Sequence, residues 1–274
     1  MTGTTLAQRP EWIQDWDALP LEERRLFARF HEVYAGFLSH FDAQFGRLLD
    51  GLDEMGLTDE TMIVLTSDNG ASAEGGTIGS INEHRFGFGV RDSIEDNMAG
   101  IDDLGGFRAY NHYPWGWAWA GNTPFKLWKR YSWLGGTRTP LIIKPAGGVA
   151  DAGAIRNQLC HVVDIFPTIL QACGIDAPTH VGGVEQQPIA GLSMIPTFTD
   201  AGSPDVRTTQ YFEMLGSRSI IHDGWKATTD HISGGVLDEE ALPGSREVEH
   251  DRWSLHRLAD DFSEAHDVAR EHPE

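Results

Sequence analysis

Three short stretches carry side chains able to do chemistry. Asp68-Asn69-Gly70 closes the apolar run "TMIVLT". A carboxylate followed by an amide oxygen offers hard oxygen ligands suited to Ca2+ or Mg2+, and a glycine frees the chain to turn sharply. The same three residue types also make an ordinary Asx turn at a strand end, so both readings stand on these residues alone. The segment "NTPFKLWKRYSWLGGTRTPLIIKPAG" sets Lys126, Lys129 and Arg130 in an aromatic, loop-like stretch just before a second apolar run. A lysine in a cleft beside a strand binds an anionic oxygen as a point charge, although each of these cations also reads as a solvated surface charge. His161 and Asp164 read either as an acid-base pair or, more ordinarily, as the cap of a helix. His112 reads as an exposed loop histidine. Trp115, Trp117, Trp119 and Trp128 form either a wall for an aromatic substrate or packing beneath a glycine-rich loop.

These residues need a framework. From Leu21 to Met55, apolar residues recur in steps of three and four, through Phe30, Phe37, Phe41, Leu48 and Leu52, which predicts one long amphipathic helix ending at Gly56 in a left-handed C′ position. "TMIVLTSD" then reads as a strand covered on both faces, and "TPLIIKPAG" as a second buried strand. "DIFPTILQACG" reads as a helix with Asp164 as N-cap and Gly174 at C′. Residues 71–121 show neither helical nor strand period and read as a functional loop region. From Arg207 onward the period becomes two. Asp223-Gly224 marks a hairpin there, and a small antiparallel sheet is expected with a boundary near residue 205. The fold class is α/β: a partial, mixed, mainly parallel sheet flanked by helices over 1–205, with a small antiparallel C-terminal subdomain over 206–274.

Composition narrows the partners. Forty-one acidic against twenty-one basic residues give a formal charge of −20, which repels nucleic-acid phosphates and anionic membrane surfaces. An N-terminal leader pattern is absent and no run approaches a membrane span, so the reading is cytoplasmic by default. Cys160 and Cys173 are too few for a disulfide framework and lack zinc spacing; they read as buried free thiols. No phosphate loop, Gly-x-Ser-x-Gly elbow or His-Glu-x-x-His helix occurs.

Taken in order, "VLTSDNGASAEGG", "GSINEHRFG", "YNHYPWGWAWAGNTPFKLWKRY", "GGTRTPLII", "HVVDIFPTIL" and "LGSRSIIHDGWKA" resemble the second half of a bacterial arylsulfatase of the alkaline phosphatase superfamily. The resemblance implies hydrolysis of sulfuric esters by an aldehyde-hydrate nucleophile with one Ca2+, or Mg2+ in some members. It makes Asp68 and Asn69 two of four metal-binding side chains, and it makes Lys129 a contact to the ester sulfate, with Lys126 in place of the family's arginine.

The departures are as informative. Leu134-Gly135-Gly136 stands where the family has Glu-Gly-Gly. A formylglycine arises from a Cys/Ser-x-Pro-x-Arg motif, and neither cysteine nor any serine here fits it. The chain is therefore expected to begin inside the fold and to turn over little sulfate ester alone, with the formylglycine segment lying in an N-terminal part absent here. Its expected partners are a small-molecule sulfate ester and a complementary N-terminal half, or a second copy joined through open sheet edges. The alternatives are a phosphomonoester or phosphonate hydrolase of the same superfamily, and a non-catalytic binding fragment.

Overall fold

The computed structural model describes residues 5–229, 231 and 248–273. The long helix α1 spans Leu21–Glu54, and Gly56 follows at φ +67°, the left-handed stop expected of it. Only its first half finds a core: Leu26, Phe27 and Phe30 are buried with Leu19 and Leu104. Farther along the same stripe Phe37, Phe41 and Leu48 stay exposed. The periodicity that specifies the helix is thus satisfied along half its length.

Beyond a 3-10 turn, β1 (Ile63–Thr66) pairs with β2 (Leu141–Lys144) in a two-stranded sheet. The pairing is antiparallel, with Ile63 opposite Lys144 and Thr66 opposite Leu141. The mainly parallel sheet expected from sequence is therefore not what these strands form. Neither are they covered on both faces, since Ile142 is 62 % exposed. An apolar run reads alike in either direction, and the long excursion between the strands is not a compact βαβ crossover that would enforce parallel pairing. Phe45, Leu49 and Leu52 of α1 face Ile63, Leu65 and Ile142 across an apolar cleft of about 270 Å³.

The excursion is more ordered than its lack of period suggests. It holds α2 (His84–Gly87), α3 (Ile94–Ala99), α4 (Trp115–Gly121) and α5 (Leu134–Thr137). Ser93 caps α3 through a reciprocal box with Asp96. The other helices are too short to show a period. Here lies the aromatic core of Ile13, Ala73, Trp115, Ala118, Leu127, Trp128, Tyr131 and Trp133. Trp12 meets Trp115 and Trp128 edge-to-face at 5.2 and 5.3 Å. Trp117 lies at 4.2 Å from His31, and its Nε1 donates to Phe27 O. Trp115 and Trp128 are core, which decides against a substrate wall for those two.

After β2 come α6 (Ile165–Ala172), a short hairpin of β3 (His180–Val181) and β4 (Val184–Glu185), and α7 (Ile195–Thr199). The C-terminal sheet is an antiparallel meander of β5 (Thr209–Met214), β6 (Ser217–His222), β7 (Trp225–Thr229) and β8 (Trp253–Arg257). The Asp223-Gly224 turn takes φ +45° and +81°, as a two-residue hairpin loop requires. Among the described residues no helix is long and apolar enough to cross a membrane.

Candidate active site

The site begins where backbone meets backbone. A Cβ added to Gly70 would lie 1.7 Å from Gly135 O, and one added to Gly135 would lie 2.2 Å from the carbonyl oxygens of Lys126 and Leu127. Gly70 N donates to Gly136 O at 3.3 Å. These glycines are required by close approach: they let the strand end at Asp68-Asn69 pack directly on the lysine-bearing loop. Asn122 holds that loop from within, its Nδ2 donating to Leu127 O and Gly135 O at 2.7 Å each. Leu127 and Arg130 sit at φ +57° and +87°, a conformation that costs non-glycine residues energy and persists where the surroundings impose it.

One turn of this loop brings Lys129 to the residues that follow Gly70. Its backbone N–H donates to Ala71 O at 3.0 Å and its Nζ pairs with Glu74 Oε1. Glu74 also accepts from the Ser72 hydroxyl and from Ala73 N. His112 completes the group, with Nε2 2.8 Å from Ser72 Oγ and 3.7 Å from Glu74 Oε2. Its Nδ1 lies 3.0 Å from Tyr113 O, a pure acceptor, so Nδ1 bears a hydrogen. His112 is therefore no exposed loop histidine; its side chain is 10 % exposed. Burial pushes the Tyr113 phenol up, with the charges of Tyr34 and Glu74 adding, so it stays neutral.

An ammonium, a carboxylate, an imidazole and a hydroxyl are thus within hydrogen-bond reach of one another. The ammonium can bind an anionic oxygen by exchanging Glu74 for it, and the imidazole and hydroxyl can hold or pass a proton. Glu74, Ser72 and His112 were not singled out together from sequence. The available signal was that Glu74 is the sole acidic residue between Asp68 and Glu83.

Asp68 is exposed and Asn69 half-buried at the end of β1. Among the described residues no group of three or more His, Cys, Asp or Glu side chains gathers around a common point fit for a metal ion. Two oxygen donors fall short of the six to eight that Ca2+ takes, so these residues do not make a metal site by themselves.

The other cations are otherwise engaged. Lys126 Nζ lies 3.4 Å from the centre of the Trp133 ring, and Arg130 Nη2 donates to Tyr131 Oη at 2.6 Å. Lys226 of β7 is fully buried. Its Nζ donates to Ser132 O and Glu264 Oε1 at 2.7 Å each, while Glu264 Oε2 accepts from Leu134 N at 2.6 Å. Burial pulls the Lys226 pKa below the ordinary range despite Glu264. This pair pins the C-terminal sheet to the backbone just beyond Lys129.

His161 and Asp164 form a cap. The Asp164 carboxylate accepts from His161 N at 2.7 Å, from Leu192 N at 2.8 Å and from the Arg207 guanidinium. Cys160 is half-buried, whereas Cys173, expected to be buried, is exposed at the C-cap of α6.

Residues 4–175 match the family model described as Sulfatase, and the chain belongs to the sulfatase family of the alkaline phosphatase superfamily. It is 28 % identical over 264 residues to an uncharacterized sulfatase of Schizosaccharomyces pombe, covering 95 % of this chain and 44 % of that protein. It is 30 % identical over 186 residues to an arylsulfatase of Klebsiella aerogenes, covering 67 % of this chain and 38 % of that one. The chain thus spans less than half the length of either relative. A solved structure from Bacteroides thetaiotaomicron, described with a core genetic locus for metabolism of multiple glycosaminoglycans, is similar in fold. Its TM-score is 0.50 at 19 % identity, covering 85 % of this chain and 40 % of that one.

Proposed function

We propose that this chain is the lysine-bearing part of a sulfuric ester hydrolase acting on aryl sulfates. Lys129 meets the ester sulfate, a fixed ammonium placed to stabilise charge on its oxygens. Asp68 and Asn69 supply two oxygen ligands to a Ca2+ or Mg2+ ion whose other ligands lie on residues outside this chain. The formylglycine nucleophile likewise belongs to a segment outside it. The observation that carries the reading is the Lys129–Glu74 pair, seated beside His112 and locked to the Asp68-Asn69 strand end through Gly70 and Gly135. Family membership supports a sulfuric ester, and likeness to the Klebsiella aerogenes arylsulfatase supports an aryl one. The half-exposed stripe of α1 and the two-stranded β1–β2 sheet suit a complementary half of the domain as partner, since open edges and uncovered apolar surface favour association.

The test is equilibrium binding of 4-nitrophenyl sulfate to the purified 274-residue chain, with 4-nitrophenyl phosphate as comparison. Lys129→Ala is expected to weaken sulfate-ester binding tenfold or more, equivalent to about 1.4 kcal/mol, with no 4-nitrophenol released by either protein. Equal binding by both proteins refutes the sulfate contact. Tighter binding of the phosphate favours the phosphomonoesterase alternative, and release of 4-nitrophenol above the Lys129→Ala control refutes dependence on a second segment.

A further inference from the structure

Ser72, Glu74 and His112 make more contacts than a neutral imidazole and a carboxylate have hydrogens to fill. The backbone holds the three side chains together. A Cβ added to Gly75 would lie 2.2 Å from Tyr113 O and 2.9 Å from His112 Nδ1. Trp115 donates its backbone N–H to Gly76 O at 2.8 Å and its Nε1–H to Ala73 O at 2.7 Å. The turn that carries Ser72 and Glu74 is thus fastened against His112 without help from either side chain.

At this junction the Ser72 oxygen touches two acceptors, Glu74 Oε2 and, at 2.8 Å, His112 Nε2. A hydroxyl has one hydrogen to give. His112 Nδ1 directs its own hydrogen to Tyr113 O, so in a neutral ring Nε2 holds only a lone pair. One of the two Ser72 contacts would then set lone pair against lone pair. Both are satisfied when one further proton is present, on Nε2 facing the Ser72 oxygen or on Glu74 Oε2, with the hydroxyl turned to the other partner. Together with Lys129, paired to Glu74 Oε1, the group then carries a net positive charge, whereas without that proton it carries none.

We propose that His112 and Ser72 are positioning residues that hold Glu74 through a shared proton, so that Lys129 is released to an anion when the proton is bound and retained by Glu74 when it is lost. Loss of the proton turns the Ser72 hydrogen to Nε2. Glu74 is then left with the Ala73 N–H at 3.1 Å and the Lys129 ammonium, and it draws more strongly on the ammonium. An anion that favours the protonated form binds more tightly at low pH, and its binding in turn favours proton uptake. The charged and titratable neighbours of the imidazole are Glu74, Lys129 beyond it, and Tyr113, whose ring meets the imidazole edge-on at 5.0 Å. Burial keeps the Tyr113 phenol neutral, and Tyr34 of α1 packs edge-on against that ring at 5.0 Å. The anion-binding half rests on the sulfate-ester reading above; the shared proton does not.

Calorimetric titration of the full chain with inorganic sulfate, in cationic buffers at about pH 5.5 and about pH 8, brackets the ordinary imidazole value of about 6.5. Ser72→Ala, His112→Gln and Lys129→Ala are compared with it, each checked for an unchanged near-ultraviolet dichroism spectrum. The unaltered chain is expected to bind sulfate roughly fivefold more tightly at the lower pH. Ser72→Ala and His112→Gln are each expected to lose most of that ratio, and Lys129→Ala to bind weakly at both pH values. If the ratio is the same in the unaltered chain, Ser72→Ala and His112→Gln while Lys129 is still required, the gating is wrong and the sulfate contact stands. If Lys129→Ala binds as the unaltered chain does, the sulfate contact fails and the gating with it. The shared proton is then decided by nitrogen-15 NMR of the ligand-free chain, with the His112 ring identified by its absence from His112→Gln. That ring is expected to lose its second hydrogen at lower pH in Ser72→Ala than in the unaltered chain. Identical titration of His112 in the two chains overturns the shared proton whatever sulfate does.

Discussion

Lys226 and Glu264 allow the sharpest test of how the C-terminal sheet is joined to the lysine loop. Both side chains are fully buried, at 0 % exposure each. Lys226→Met removes a cation from a site where its partner has no access to water, leaving the Glu264 charge with the Leu134 N–H at 2.6 Å. Breaking a buried pair in this way costs ~3–5 kcal/mol, a large share of a typical total stability of roughly 5–15 kcal/mol. Glu264→Leu strands the lysine with Ser132 O and is expected to cost a similar amount. The double variant Lys226→Met/Glu264→Leu replaces two charges with apolar volume, so its cost falls well short of the sum. A coupling of at least ~2 kcal/mol follows, within the range for contacting residues. Urea unfolding followed by tryptophan fluorescence reads this directly. At a slope of ~3 kcal/mol/M, each single change lowers the midpoint by about 1–1.7 M. Additive effects, or single changes that cost under about 1 kcal/mol, refute the reasoning.

Gly70→Ala places a methyl 1.7 Å from Gly135 O, where only backbone can yield, whereas Gly36 in α1 has nothing within 4 Å of the added carbon. The same substitution is therefore expected to destabilise by ~3 kcal/mol or more at Gly70 and to stabilise by roughly 0.5–1 kcal/mol at Gly36. Equal urea midpoints for the two variants disprove the close-approach argument. Burial pushes the Asp164 carboxyl up, but Arg207 and the Leu192 and His161 N–H groups outweigh it, and its pKa lies below the ordinary 3.8. A depressed carboxyl contributes stability that is fully present above its unfolded value and lost as pH falls through the folded one. The stability gap between the unaltered chain and Asp164→Asn is thus expected to be widest near neutrality and to narrow below about pH 4. A gap constant down to about pH 3 shows that the carboxylate charge contributes nothing.

Some of this architecture was open to reading from residue order, and the reasons differ by element. α1 and its Gly56 stop follow from local rules, since steps of three and four and a left-handed glycine need no tertiary information. The Asp223-Gly224 hairpin does as well. The Leu215-Gly216 turn has the same backbone, φ +51° and +80°, yet leucine gives no turn signal. The direction of β1 against β2 was not legible, because pairing is decided by a connection of more than seventy residues. Nor was the cluster around Lys129. Ser72 and His112 are 40 positions apart and Glu74 and Lys129 are 55 apart, beyond any periodic pattern. Lys129 itself was found through its aromatic segment and family likeness.

The two Trp-Lys dipeptides show what sequence leaves undecided. Trp128-Lys129 and Trp225-Lys226 read alike, and each lysine is paired with a glutamate. Burial separates them. Lys129 is 37 % exposed and Glu74 18 %, so an arriving anion can take the place of Glu74 while water receives the released carboxylate. Lys226 and Glu264 have no such exchange open to them, because separating the pair would leave two dry, uncompensated charges. An exchangeable partner suits a binding lysine and a fixed partner suits a structural one. In a chain of net charge −20, an anion approaching Lys129 meets the Glu74 carboxylate already paired with it. Glu74 thereby competes with any anion that approaches this ammonium.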